Sequence, residues 1–429
     1  MKHRKGDDEM ALKGTTKIEL TNVHTGQKEV VEHHNMITNV LSAMNKRMYG
    51  VNGMDTFLYM YAKQFLGAND PFWKAMFSGI ILFEDALSES ADEYIFPAGN
   101  NVVGCGDIER VKTLDMTDTT CSVVGNFNSD ESVFKDNMVK MVYDFPTSQG
   151  NGTISSIALC NKSLARSCYV YGSNKNHIVL ANITNTVTKN TVVSSISNDG
   201  NVYTIKFFYR DTENMKIKLS SKVASNTLLV DELKTISVEL DASDYSTSLV
   251  ANDKNIIILY SNSTHKFKYV SLTDGNVYEK NCPQGYDVVY PYDGYFMAVK
   301  HIDSKYHYSI LKDDGTVLHE IVDPNNFSFN CGMLDNRYIV GYIGVMWILL
   351  FDVISGGYKY FYVNEQGLSS ITRSDVFDNI IHLTHYDPWN KYYSFSTWQP
   401  WLTTKNNLDS PVTKTSDKTM KVTYTLTEA

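Results

Sequence analysis

The stretch Asn255-Ile-Ile-Ile-Leu-Tyr-Ser-Asn262 has three counterparts downstream: Tyr295-Phe-Met-Ala-Val-Lys-His301, Tyr338-Ile-Val-Gly-Tyr-Ile-Gly344 and Asn379-Ile-Ile-His-Leu-Thr-His385. These apolar, β-prone runs start 40, 43 and 41 residues apart. Each of the first three is followed by two more strand-like runs joined at a glycine. The joins are Asp274-Gly275, Asp314-Gly315 and Gly356-Gly357, and the glycines step by 40 and 42 residues. Asp-Gly and Gly-Gly supply the positive φ angles that tight hairpin turns need, so turn chemistry and spacing point to one repeating unit.

A period near forty with about four strands per unit predicts β-propeller blades, small sheets that stack around an axis because none can bury both faces alone. The alternative is a sandwich of unrelated hairpins. Upstream the signal fades. Asp199-Gly200 lies 75 residues before Gly275, close to two periods; Lys234–Leu240 reads as part of a unit between, and His177-Ile-Val-Leu180 as the opening of an earlier one. Five or six blades fit, and residues 161–386 are assigned to them.

The rest of the chain also reads as mainly β. Thr16–Val23 alternates apolar and polar residues, turns at Thr25-Gly26-Gln27 and continues in Lys28–Val31. Gly152–Leu159 and Lys418–Leu426 alternate in the same way. Met36, Ile37, Val40, Leu41, Met44 and Met48 recur at helical spacing, and residues 55–65 form a weaker helical stretch. The expected organisation is a disordered leader over 1–12 and a β-rich, sandwich-like domain with one or two short helices. That domain takes residues 13–160 and 387–429, with the propeller inserted between.

Composition narrows the function classes. With 48 acidic against 39 basic side chains the net charge is −9, which argues against a nucleic-acid-binding face. The basic residues Lys2, Arg4 and Lys5 are followed by Asp7, Asp8 and Glu9 with no apolar stretch, unlike a secretory signal. The apolar run Val340–Phe351 is too short to span a bilayer, so cytoplasmic synthesis of a soluble chain is the expectation. Cys105, Cys121, Cys160, Cys168, Cys282 and Cys331 lack CxxC or His spacing and read as small apolar residues in a reducing compartment.

No nucleotide loop, nucleophile elbow or HExxH is present, so no catalytic residue, metal site or cofactor is expected. His33-His34 are adjacent, and His382 and His385 are three apart; on strands each pair points to opposite faces and does not chelate. The turn aspartates Asp199, Asp274 and Asp314 suit hydrogen bonding to their own backbone. Trp389, Tyr392, Tyr393, Trp398 and Trp401 are the candidate glycan-binding aromatics, with burial in a core or subunit interface as the competing reading.

Three segments in combination resemble tail proteins of bacteriophages infecting Gram-positive hosts: Lys13–Leu41, Lys140–Cys160 preceded by Gly79–Leu87, and Asn406–Leu426. The repeats are similar to quinoprotein-type propeller units, with an Asp-Gly turn followed by Lys or Asn, Val and an aromatic. The resemblance covers both chain ends and not the middle. It implies a non-enzymatic tail-fibre, baseplate or receptor-binding component, assembled in the host cytoplasm and resident in the virion tail. Its implied partners are other tail proteins, further copies of itself (a trimer by analogy) and host-wall glycans. A purely architectural part and a propeller-type glycan depolymerase are the alternatives. The second needs two carboxylates converging across a sugar, and the scattered Asp and Glu show no such pair.

Overall fold

The structure, a computed structural model, describes residues 12–40, 76–108, 122–135, 138–168, 177–180, 192–199, 202–211, 216–224, 228–237, 249–251, 255–258, 266–271, 276–323, 325–343, 347–362, 371–377, 380–387, 392–398 and 400–428. These form two units. One holds the described residues up to 168 together with 400–428, and the other holds 177–398.

The first unit is a single curled sheet. Its strands are β1 (Leu12–Asn22), β2 (Lys28–Ile37), β3 (Gly79–Phe83), β4 (Val102–Asp107), β5 (Asn126–Phe127), β6 (Val133–Lys135), β7 (Met138–Phe145) and β8 (Gly152–Cys160). The chain's last two strands complete it, β29 (Leu402–Lys414) and β30 (Lys418–Glu428). The order is β4-β3-β8-β29-β2-β1-β30-β7-β5, with β6 also on β7. Its ends meet, because Cys105 N donates to Val123 O and Gly125 N to Cys105 O, both at 2.8 Å. The unit is therefore a nearly closed barrel, where the sequence suggests a sandwich: the sheet joins itself instead of covering a second layer.

Period-two alternation decides which side faces in. Across β1, β30 and β7 the register aligns Ile18–Val422–Tyr143, Thr16–Tyr424–Met141 and Leu20–Met420–Phe145, and all nine are buried. Such cross-strand rows are the unit of sheet stabilisation. Tyr424 is fully buried and its hydroxyl donates to Thr404 Oγ1. Two buried lysines tie loops to the barrel. Lys405 Nζ donates to the carbonyls of Ser90 (2.6 Å) and Glu93 (2.8 Å), and Lys414 Nζ to Pro146 O (2.9 Å) and Asn151 Oδ1 (2.7 Å).

Met36 and Ile37 do not begin a helix. They close β2 and pair with Lys405 and Thr404. Residues 41–48 and 55–65 lie outside the described residues, as do 1–11 of the expected leader, whereas Leu12 already belongs to β1. A short helix, α1 (Lys162–Ser167), follows β8, its N-terminus capped where Asn161 Oδ1 accepts from Leu164 N at 2.8 Å.

The second unit is a β-propeller of five four-stranded sheets among the described residues. The first sheet is β10 (Val192–Asp199), β11 (Val202–Asp211), β12 (Lys216–Ala224) and β13 (Leu228–Ser237). The second is β14 (Leu249–Ala251), β15 (Asn255–Ile258), β16 (Lys266–Ser271) and β17 (Val277–Asn281). The third is β18 (Val288–Pro291), β19 (Tyr295–Ile302), β20 (Lys305–Lys312) and β21 (Val317–Asp323). The fourth is β22 (Ser328–Leu334), β23 (Tyr338–Ile343), β24 (Trp347–Asp352) and β25 (Tyr358–Tyr362). The fifth takes β26 (Ile371–Phe377), β27 (Ile380–Asp387) and β28 (Tyr392–Trp398), and its outer strand is β9 (His177–Leu180) from the start of the unit. Residues 177–180 thus close the last blade instead of opening an early one, and β10 meets β26 where the ring joins.

Three expectations need correction here. Asp199-Gly200 joins the first and second strands of its blade, so it is not the equivalent of Gly275, which joins the third and fourth. Lys234–Ser237 belong to the first blade's own outer strand. Tyr392–Trp398 lie in the fifth blade, not with the chain ends, because β28 pairs with both β27 and β9. The propeller therefore extends beyond the assigned 161–386 to Trp398.

The third and fourth blades pack through one cluster that includes Met297, Val299, Tyr308 and Ile310 from one and Phe329, Ile339, Leu349 and Phe351 from the other. At the ring centre a Cβ on Gly332 of β22 would stand 2.6 Å from Val376 O of β26, so this approach requires glycine. The hairpin glycines anticipated from sequence behave as expected: Gly315 has φ +86° and Gly356 φ +74°. Two further turns use non-glycine residues at positive φ, Asp303-Ser304 and Asp335-Asn336. Among the described residues no helix is long and apolar enough to cross a membrane.

Candidate functional site

The aromatics singled out in the sequence do not form one platform. Trp398 is buried in the propeller against Phe361, ring centroids 4.7 Å apart. Trp401 is buried in the barrel, edge-on to Tyr94 at 6.2 Å. Both therefore follow the core reading, and in different units. Tyr392 and Tyr393 lie on β28, paired with Asp387 and Tyr386. Trp389 lies outside the described residues. His33 faces Asp409 (Nδ1 to Oδ1 3.6 Å) while His34 is exposed, as opposite faces of a strand require. His382 and His385 sit opposite Asp375 and Ile371 in the β26–β27 ladder.

A different aromatic surface emerges where the third and fourth blades meet. On β19, Met297 and Val299 face the fourth blade, and alternation carries His301 to the same face at the strand's end. Its cross-strand partner is Tyr306, and the two rings stack at 4.6 Å. His301 is fixed further by Asp287 Oδ2, which accepts from its backbone N at 2.6 Å. From Tyr306 the rings run inward through Tyr308 (6.4 Å) to Phe327 (6.0 Å) and on to Tyr360 of the fourth blade (5.5 Å, stacked). On the fourth blade, Trp347 shares a face with Leu349 and Phe351, which pack toward the third blade, and it stands at the corresponding strand end with 44% of its surface exposed.

Polar contacts tie the two blades together beneath these rings. Tyr308 OH donates to Asn325 O (2.5 Å) and accepts from Phe327 N (2.8 Å), pinning the linker between the blades. Tyr360 OH donates to Asp323 Oδ2 of the third blade, while Asp323 Oδ1 accepts from Asn325 N at 2.7 Å. Burial pushes the tyrosine hydroxyls of Tyr308 and Tyr360 well above their ordinary pKa, and the Asp323 carboxylate adds to the effect. These hydroxyls stay protonated donors at any working pH.

At the opposite end of the fourth blade Asp352 is almost wholly buried. It accepts from Arg337 Nε (3.0 Å) and Nη2 (2.8 Å), Ile354 N (3.0 Å) and Ser355 Oγ (2.8 Å). Burial works to raise its pKa, and the Arg337, Ser355 and Ile354 hydrogen bonds outweigh that and hold it below the ordinary carboxylate value. This carboxylate is spent on a turn and is not available for acid–base work.

His307 Nδ1 lies 2.8 Å from Glu320 Oε1, but among the described residues no hydroxyl or thiol is hydrogen-bonded to its other nitrogen. No group of three or more His, Cys, Asp or Glu among the described residues is placed to hold a metal ion. The exposed ring of Trp347 and the partly buried ring of Tyr306, stacked on His301, offer flat apolar faces next to hydrogen-bonding groups. Sequence reading missed this rim because its rings come from separate repeats, and no local pattern links Tyr306 to Trp347.

No family model matches the chain, and no curated protein matches it. Among solved structures it is similar to acylaminoacyl peptidase from Pyrococcus horikoshii, at 10% identity and a TM-score of 0.22, over 47% of this chain and 44% of the peptidase. The chain thus spans less than half of that enzyme. It is also similar to the β-propeller domain of the Trilobed protease from Pyrococcus furiosus, at 11% identity and TM-score 0.21, over 47% of this chain and 79% of that one. A third is U3-55K, at 9% identity and TM-score 0.26, over 62% and 97%. Likeness at this level carries nothing about activity.

Proposed function

We propose that this chain is a non-enzymatic component of a bacteriophage tail or tail-like particle, a receptor-binding part whose barrel docks on the tail and whose propeller contacts the host surface. One observation carries the reading: a self-closed propeller is hung within a single crossover of the barrel. In the barrel, Cys160 pairs with Leu402; in the propeller, His177 pairs with Ser396. In each unit the strand where the chain leaves pairs with the strand where it returns, so a propeller can vary without disturbing its carrier.

The rim of Tyr306, His301 and Trp347 is the surface assigned to host contact, with wall glycans as the ligand class, since sugar rings stack on exposed aromatics. The partners are other tail proteins and further copies of the chain. Incubating the purified protein with intact Gram-positive cells and with isolated walls tests the reading. Cell binding without release of reducing sugar supports it. Release of sugar indicates a depolymerase, and neither binding nor release indicates an architectural part.

A further inference from the structure

Lys414 is a buried cation whose hydrogen bonds all end on neutral oxygens. Its ammonium donates to Pro146 O (2.9 Å), Thr147 O (3.3 Å) and Asn151 Oδ1 (2.7 Å). Among the described residues no carboxylate is hydrogen-bonded to it, and Asp417 acts on it only at longer range. A charge taken out of water is ordinarily paired. The Asn151 amide already touches Nζ, and exchanging its nitrogen for oxygen would complete an ion pair there. The exchange forfeits the bond from Asn151 Nδ2 to Thr147 O (2.9 Å), a neutral one on an exposed side chain. It makes the bond to the buried cation charge-assisted on both sides, and such bonds are roughly twice as strong as neutral ones.

The residue after Asn151 is Gly152, and the fold demands a glycine there. Gly152 has φ +147°, and a Cβ would stand 3.0 Å from Val103 Cγ1. With no side chain on residue 152, its peptide nitrogen is unshielded from the neighbouring amide. We propose that Asn151 is a self-modifying site, converted to aspartate in the folded barrel with the Lys414 ammonium stabilising the charge that develops. The Gly152 nitrogen bonds to Asn151 Cγ. The Cγ–Nδ2 bond breaks, and Nδ2 leaves as ammonia with the proton that Gly152 N gives up. Water, which reaches this exposed loop between β7 and β8, then opens the cyclic imide. The Lys414 ammonium on Oδ1 sits where negative charge gathers in both steps, and it polarises Cγ and not the main-chain carbonyl. Water is thereby steered to the new Cγ–N bond, which restores the main chain and leaves aspartate. Cleavage of the original peptide bond would instead leave isoaspartate and lengthen the chain by one carbon beside the pairing of Gly152 with Lys414. This conversion does not depend on the tail assignment.

Peptide mapping by mass spectrometry of the full chain, held at neutral pH either folded or in concentrated urea, provides the test. In the folded chain the peptide carrying Asn151 should gain the mass difference of NH exchanged for O, with aspartate as the main product; in urea isoaspartate should dominate. Lys414→Met should slow the folded reaction roughly tenfold, the rate equivalent of one charge-assisted hydrogen bond. Asn151→Asp should melt higher than freshly purified wild type. It should also flatten the pH-dependence that Lys414 gives the barrel, because a carboxylate partner restores the ordinary lysine pKa. Circular dichroism checks that Lys414→Met is folded; where it is not, the product ratio in the wild type and the Asn151→Asp melt decide. Asn151 left intact in the folded chain while it converts in urea overturns the proposal. So does a folded product dominated by isoaspartate, or an Asn151→Asp variant that melts no higher than the fresh wild type.

Discussion

Replacing Asp352 with Ala tests how the fourth blade is held. The change deletes an acceptor of four hydrogen bonds and takes from the Arg337 guanidinium, about a quarter exposed, and from the amide of Ile354 the carboxylate they share. Breaking a buried pair by removing one partner costs about 3–5 kcal/mol. Water reaching Arg337 places the cost near the lower end, about 3 kcal/mol, and Asp352→Asn should cost roughly half because one acceptor oxygen survives. Hydrogen–deuterium exchange with mass spectrometry is the assay, since the two-unit chain need not unfold in one step. Peptides over β24–β25 should lose protection, while β30 in the barrel serves as internal reference. The pair should also titrate. Asp352 is depressed in the folded chain, so its stabilisation is complete above the ordinary carboxylate range and is lost as pH falls through the depressed value. A loss below about 1 kcal/mol, or equal loss in β30, would refute the assignment of Asp352 as the lock of this turn.

Gly332→Ala should cost about 2–3 kcal/mol, because the added Cβ meets Val376 backbone; thermal melts against the wild type give the value. Lys414 is pushed down to about 8 by burial, against the pull of Asp417. The folded chain then binds fewer protons than the unfolded chain between about 8 and 10.5, so barrel stability rises with pH in that window, and Lys414→Met should flatten the rise. Buried Tyr143 and Tyr424 keep their protons past pH 10 and buried Cys160 past its ordinary range, both opposing the rise, while burial lowers Lys405 as well, so it is the difference between wild type and Lys414→Met in urea titrations between about pH 7.5 and 9.5 that reads this lysine. Trp347→Ala should weaken cell binding by about 1–2 kcal/mol without lowering the melting temperature of the propeller; unchanged binding would remove the rim from the site.

What was legible in the sequence is what repeats locally. The glycine turns at 315 and 356 and the strands opening at Asn255, Tyr295 and Tyr338 fall where spacing puts them. The first blade escaped because β11, β12 and β13 run to nine or ten residues, which stretches its repeat beyond forty. The closing strand β9 escaped for a different reason. Its partner β28 lies more than two hundred residues away, and four apolar residues carry no mark of which sheet they join. Met36 and Ile37 show the limit of periodicity at a boundary, since a strand end and a helix start share the same apolar pair. The aromatic candidates were chosen by density in the sequence, and density does not distinguish a core ring such as Trp398 from an exposed one such as Trp347.

Ring closure by β9 is the feature on which the module-and-carrier account depends, and disulfide trapping reads it directly. In the register found here Val179 stands opposite Ser394. The double variant Val179→Cys with Ser394→Cys should yield, after mild oxidation, a cross-linked peptide pair identifiable by mass spectrometry. Val179→Cys with Ser197→Cys, which reports β9 lying in the first blade beside its sequence neighbour, should not. Cross-linking of the second pair and not the first would contradict the closed ring, and with it the propeller as a self-contained insertion.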